Sequence, residues 1–187
     1  EIVDKNIMDL ITVKEVEIEE RIPFTLEEIE KLKTYDHPLN GTALILLYSG
    51  MRITELLEIE TKNVFLDKKY MIGGVKTTSG KNRIIPLHDE ILEIVSGFYN
   101  PKNKYLISPK MTYKNYRHHY WDKMMKDLNI ERTPHDTRHT FATFADRNNL
   151  NTVALKRIMG HKLKDVTDHY THKDIDELLT EVNKIKY

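Results

Sequence analysis

Strand signals in this chain gather in one short stretch, residues 69–87, and helix signals lie on both sides of it. Lys69–Ile72, Gly74–Thr77 and Arg83–Leu87 read as short strands, with Thr78-Ser79-Gly80 supplying turn chemistry between the last two. Ahead of them, Thr25-Leu26-Glu27-Glu28 is a capping-box pattern that opens a helix. A very apolar helix over Ala43–Tyr48 should stop near Gly50, and Arg52–Leu57 restart as a short helix. Behind the strands, helices are predicted over Asp89–Phe98, Tyr113–Leu128, Pro134–Arg147 and Thr152–Met159. A last helix, 174–185, carries Ile175, Leu178, Leu179, Val182 and Ile185 as one apolar stripe. The fold class that follows is mainly α with a small antiparallel β-sheet, an α+β domain.

At 187 residues the chain can bury one good core, so residues 23–187 are read as one domain. Residues 1–22 mix β-branched and acidic residues with no helical stripe, and read as a tether entering that domain. No apolar run approaches membrane-spanning length, and the acidic, mixed N-terminus is not a signal peptide. With no cysteine there is neither a disulfide nor a thiolate zinc site, which permits a reducing cytoplasm.

The formal net charge of zero argues against a generic DNA binder, but the charges are segregated. Between Thr61 and Arg83, six Lys/Arg face Asp67 alone; between Pro101 and Lys126, seven face Asp122 alone. Glu15–Glu30 holds seven Glu against Arg21. One basic surface and an acidic remainder account for this pattern; ordinary solvated faces are the plainer account of the same runs.

Six residues stand out for chemistry. Arg52 lies in G-M-R-I-T-E-L, Lys76 in V-K-T-T-S-G-K-N-R-I-I-P-L, and His135 and Arg138 in H-D-T-R-H. Gly160-His161 is followed by T-D-H-Y-T-H, which contains Tyr170. Attack on a phosphodiester without a metal needs cations on the non-bridging oxygens, a nucleophile, and an acid for the leaving oxygen. Guanidinium forks suit the first task, since they bind phosphate oxygens bidentately and stay charged. His135 precedes Arg138 by three residues and shares its helix face, where a near-neutral pKa suits proton transfer. His161 follows a glycine that permits close backbone approach, and would hydrogen-bond the phosphate. His135 and His139 also mimic a helical zinc motif, but Arg138 beside them would repel the metal. A buried structural role suits His139 better.

The order and wording of these segments resemble the catalytic domain of the tyrosine recombinases, the phage integrase family, from about Pro23 to Thr171. The resemblance implies that Arg52, Lys76, His135, Arg138, His161 and Tyr170 are the catalytic residues. Tyr170 would attack a DNA phosphate, form a 3′-phosphotyrosyl link and free a 5′-hydroxyl; a partner strand's 5′-hydroxyl would then attack that link. Lys76 would protonate the leaving oxygen, with Lys81 as its competitor. Glu55 and Asp136 are read as supports that orient the arginines, and His139 as a buried structural support behind the site. Lys81, Arg83, Lys114 and Arg117 are assigned to DNA phosphates, the last two on a helix that interleaves aromatic and basic groups. Neither ATP nor a metal is implied, because bond energy is kept in the protein–DNA ester.

By the same resemblance, the partners are double-stranded DNA attachment sites of a phage or mobile element, cut by four protomers, with accessory DNA-bending or directionality proteins. A separate N-terminal core-binding domain would complete the clamp, so the chain reads as a fragment, monomeric by itself, acting in the cytoplasm. The stripe on the last helix has two readings, docking on a neighbour or folding back in cis. Two other functions stay open: a DNA-binding module of the same fold without chemistry, and a metal hydrolase built on His135 and His139.

Overall fold

The computed structural model describes residues 22–74, 82–161 and 171–187. The expected tether lies outside them apart from Ile22, as do the predicted strand beyond Gly74 and the Thr78-Ser79-Gly80 turn. Nine α-helices and three strands follow in the order α1 (Leu26–Thr34), α2 (Asn40–Ser49), α3 (Ile53–Leu56), β1 (Val64–Phe65), β2 (Tyr70–Gly73), β3 (Arg83–Pro86), α4 (Leu92–Phe98), α5 (Tyr113–Tyr116), α6 (Asp122–Leu128), α7 (Pro134–Arg147), α8 (Thr152–Met159) and α9 (His172–Val182), counted among the described residues. None of these helices is long and apolar enough to cross a membrane.

The predicted capping box is present. Thr25 Oγ1 accepts from Glu28 N–H, and Glu28 Oε2 accepts from Thr25 N–H. α2 is buried on every side except at Gly41, as its unbroken apolar run requires, and it packs against α7 and α1. It stops at Gly50, whose φ of 62° only glycine adopts cheaply, and a Cβ there would overlap the Phe141 ring. The helix expected over Tyr113–Leu128 is one helical run with a wide π turn at Arg117–Trp121 between α5 and α6. Tyr116 and Trp121 fill the core from this run.

The sheet is antiparallel in the order β1-β2-β3, with Val64 opposite Met71 and Ile72 opposite Ile84. β2 and β3 match predicted strands to within a residue. β1 has only two residues, too few to carry an alternation, and Gly74 lies outside any strand. Met71 and Ile85 pack into one core cluster with α1 and α2, while Tyr70 and Ile84 pack into a second with α7, α8 and α9. The sheet is therefore buried on both faces, which is why β3 reads as a run without alternation.

α9 folds back in cis. Leu178, Val182 and Ile185 are fully buried in the second cluster, and α9 packs on α8 and β3 of its own chain. Two residues past Ile185, the Tyr187 ring touches both clusters and its hydroxyl donates to Leu47 C=O at 2.5 Å.

Candidate active site

Arg52 is placed by a broken helix. α2 ends at Gly50, and α3 begins immediately after Arg52, which serves as its N-cap. The Arg52 backbone N–H donates to Glu55 Oε2 at 2.8 Å, and its half-exposed side chain projects from the helix start. Asp136 plays a local part at the start of α7: it accepts from Thr133 N–H at 2.6 Å and from Thr133 Oγ1 at 2.9 Å. The expectation that Asp136 orients the arginines is thus corrected, because its carboxylate is used as a helix cap.

Arg138 lies two residues further along α7 and is 4% exposed. It donates to Gly50 C=O and Met159 C=O, both at 2.7 Å, and its Nη2 contacts His161 Nε2 at 3.1 Å. Two carbonyls, one from the end of α2 and one from the end of α8, fix the guanidinium plane. Burial first, then the Arg52 and Arg83 charges, bring its pKa down to about 10, so it remains charged at neutral pH. His161 follows Gly160, where α8 ends in the left-handed conformation at φ 68°. Burial and the nearby Arg138, Arg52, Lys156 and Arg83 charges hold the His161 pKa below the usual histidine value.

Arg52, His135 and Arg138 line one cleft of about 180 Å³ with Met51, Ile53, Thr54, Pro134 and Tyr113. His135 is exposed at the rim, in the first turn of α7. Three segments far apart in sequence thus bring Arg52, His135, Arg138 and, through Arg138, His161 together. Lys76, Lys81 and Tyr170 lie outside the described residues. His139 is half-buried and does not line the cleft. Among the described residues no three His, Asp or Glu side chains gather as a metal-ligand group.

Lys114 and Arg117 are exposed, Arg117 at 3.3 Å from Asp122, and the start of their helix meets the cleft through Tyr113. Arg83 differs from expectation. It is 3% exposed, chelates the Glu55 carboxylate through both terminal nitrogens, and donates from Nε to Ile158 C=O at 2.9 Å. It is therefore no phosphate contact. Its apolar company in R-I-I-P-L was the available sign, since a strand buried on both faces leaves no room for a surface arginine. Glu55 keeps a lowered pKa: burial pushes it up, but the Arg83 bonds and charge, with the Arg52 N–H and charge, more than offset that. Tyr113 is a cleft residue that the sequence pattern placed only on an aromatic, basic helix.

The phage integrase family model matches residues 15–177, and the chain belongs to that family. It is 31% identical over 188 residues to the tyrosine recombinase XerD of Staphylococcus haemolyticus, covering 87% of this chain and 62% of that protein. It is 31% identical over 142 residues to the tyrosine recombinase XerA of Saccharolobus solfataricus, covering 75% of this chain and 47% of that protein. The chain thus spans about half to three-fifths of these relatives' length. The Tn1549 transposon integrase, solved in complex with transposon right end DNA, superposes with a TM-score of 0.68 at 23% identity, over 92% of this chain and 69% of that one. The integrase from mycobacterium phage Brujita gives 0.66 at 17% identity, over 88% and 58%. Both structural likenesses carry the fold.

Proposed function

We propose that this chain is the catalytic domain of a tyrosine site-specific recombinase, which cuts and rejoins DNA strands through a 3′-phosphotyrosyl intermediate. The observation that carries this reading is the convergence of Arg52, His135 and Arg138 on one cleft, with His161 bonded to Arg138. Membership of the phage integrase family, and relatives named as tyrosine recombinases, support it.

The scissile phosphate sits in the cleft, its non-bridging oxygens facing Arg52 and Arg138. Preorganised guanidinium groups stabilise the charge that grows on those oxygens as the phosphorus becomes five-coordinate. The Tyr170 oxygen attacks phosphorus, the P–O5′ bond breaks, and the electron pair leaves on the 5′-oxygen. His135, at the rim, takes the phenolic proton, and Lys76 donates a proton to the 5′-oxygen. Neutral His161 fixes Arg138 from the other side. A 5′-hydroxyl from a partner strand then attacks phosphorus, and the tyrosyl oxygen leaves with its proton restored. One ester replaces another, so no nucleotide triphosphate is consumed.

Double-stranded attachment-site DNA is the substrate. Lys114 and Arg117 lie beside the cleft to meet its backbone, and four protomers act on two sites in the cytoplasm. The test is covalent capture on nicked half-site DNA in EDTA, comparing wild type with Tyr170→Phe. A wild-type band that survives SDS and is absent from the variant supports the reading; equal bands, or loss of the wild-type band in EDTA alone, reject it.

A further inference from the structure

Glu55 lies three residues after Arg52, the spacing at which a carboxylate and a guanidinium pair along a helix. Such a pair would draw the Arg52 charge away from a phosphate. It is barely formed here: Arg52 Nη1 stands 3.9 Å from Glu55 Oε2, and the Arg52 side chain is 42% exposed. Glu55 instead gives both oxygens to Arg83, with Nη2 to Oε2 at 3.1 Å and Nη1 bonded to Oε1. Arg83 arrives from β3, 28 positions away in sequence. Its Nε is held by Ile158 C=O at 2.9 Å, and behind it Gly160 leaves so little room that a Cβ would come within 2.9 Å of its Cδ. Arg83 thus has little freedom to leave Glu55. Glu55 in turn cannot be dispensed with, because it accepts the Arg52 backbone N–H that starts α3.

We propose that Arg83 is a positioning residue that occupies the Glu55 carboxylate, so that Glu55 caps the helix under Arg52 while the Arg52 guanidinium stays available to the phosphate. This rests on the assignment of Arg52 as a phosphate ligand. β3, which follows the lysine-bearing segment, and the end of α8, which precedes His161, are tied to Arg52 through the same ion pair. Assembly of the phosphate site therefore depends on all three segments being in place at once.

The test follows the arginine Nε–H resonances of this chain by NMR during titration with inorganic phosphate. Arg83→Met frees a buried carboxylate beside Arg52, and phosphate binding is expected to weaken by about tenfold or more, the scale of one lost charge-assisted contact. Adding Glu55→Gln keeps an acceptor for the Arg52 N–H but removes the competing charge, so the double variant is expected to recover to within about threefold of wild type. A wild-type-like Arg83→Met, or a double variant as weak as the single, overturns the proposal. Should Arg83→Met fail to fold, Arg83→Lys and the double variant decide: both are expected to bind phosphate nearly as wild type does, and loss in either overturns it. DNA cleavage by the wild type is scored separately. Covalent DNA bands that are equal in wild type and Tyr170→Phe, beside the expected phosphate pattern, reject the recombinase reading and leave the role of Arg83 standing.

Discussion

Arg157 donates to Asp174 at 3.0 Å, pinning the first turn of α9 to the last turn of α8. The same carboxylate accepts from Thr171 N–H at 2.9 Å and from Thr171 Oγ1, so Thr171 is fixed as the N-cap of α9. Tyr170 is the residue immediately before Thr171, and His161 follows the end of α8. One ion pair therefore anchors both ends of the segment that carries the proposed nucleophile. The Thr171 hydroxyl and N–H, with Arg157, bring the Asp174 pKa down to about 2, so the anchor is fully charged at neutral pH and is lost only as pH falls from about 4 towards 2. Asp174→Ala is expected to slow covalent capture by about tenfold while DNA affinity changes little, because positioning rather than binding is impaired. Single-turnover cleavage at saturating DNA checks this; an unchanged rate would show that the anchor does not matter to Tyr170.

A second expectation concerns protonation beside Arg138. An arginine only donates, so His161 Nε2 must accept in their 3.1 Å contact, which fixes a neutral imidazole with its proton on Nδ1. Burial and the surrounding cations lower its pKa, and the native state therefore binds fewer protons than the unfolded chain. The stabilisation is whole above the ordinary value near 6.5 and declines as pH falls from there through the lowered pKa. A proton on Nε2 also turns an acceptor for Arg138 into a competing donor. Titration of the His161 ring by NMR should show a midpoint below 6.5. A midpoint above 6.5 would contradict the arrangement.

His88 makes the third case. It is 3% exposed, its Nε2 lies 3.1 Å from Ile185 C=O, and its Nδ1 accepts from Glu90 N–H at 3.1 Å. Both ring nitrogens are thus committed in the neutral form. Burial is the main cause of its lowered pKa, and Lys186 adds to it, against the opposing pull of the Ile185 carbonyl, Glu90 and Asp89. Stability should decline as pH drops below about 6.5, again because the unfolded chain takes up the proton first. His88→Ala leaves the Ile185 carbonyl unpaired in the core and should cost about 1–3 kcal/mol, with a flatter pH dependence. Urea melts at two pH values on each side of 6.5 read both effects.

These pairings mark what local patterns in the sequence express and what they do not. The capping box at Thr25, the helix stop at Gly50 and the stripe over Ile175–Ile185 are local signals, and the structure carries all three. Fixed wording around Arg52, His135, Arg138 and His161 singles them out together, and the structure brings the first three to one cleft with His161 against Arg138. Arg83 differs from the expected DNA contact, since a basic residue in a basic run looks exposed until its distant partner Glu55 is placed. The Asp136 carboxylate, expected to orient the arginines, is claimed by Thr133 at the start of its own helix. Helical patterning puts Tyr113 on α5 but says nothing of the cleft, which Tyr113 shares with residues of α3 and α7 only in three dimensions. Pairings between segments far apart in sequence leave no periodicity to read.

Tyr187 shows how far such a long-range pairing reaches. Its ring stands edge-on to Tyr48 and to Phe144, each at 4.8 Å between centroids, so one side chain joins the core cluster around α2 to the cluster under α9. Its hydroxyl donates to Leu47 C=O at 2.5 Å, 140 positions earlier in the chain. The segment after α9 is thereby locked against the helix whose end places Gly50 and Arg52. Tyr187→Phe keeps the ring contacts and loses one hydrogen bond, an expected cost of about 1 kcal/mol. Tyr187→Ala removes the ring from two packed clusters and should cost about 3–5 kcal/mol. If the ring does join the clusters, the larger loss will appear as one cooperative shift in a urea melt followed by both fluorescence and circular dichroism. Separate transitions by the two probes, or equal costs for the two variants, would show that the contact does not couple them.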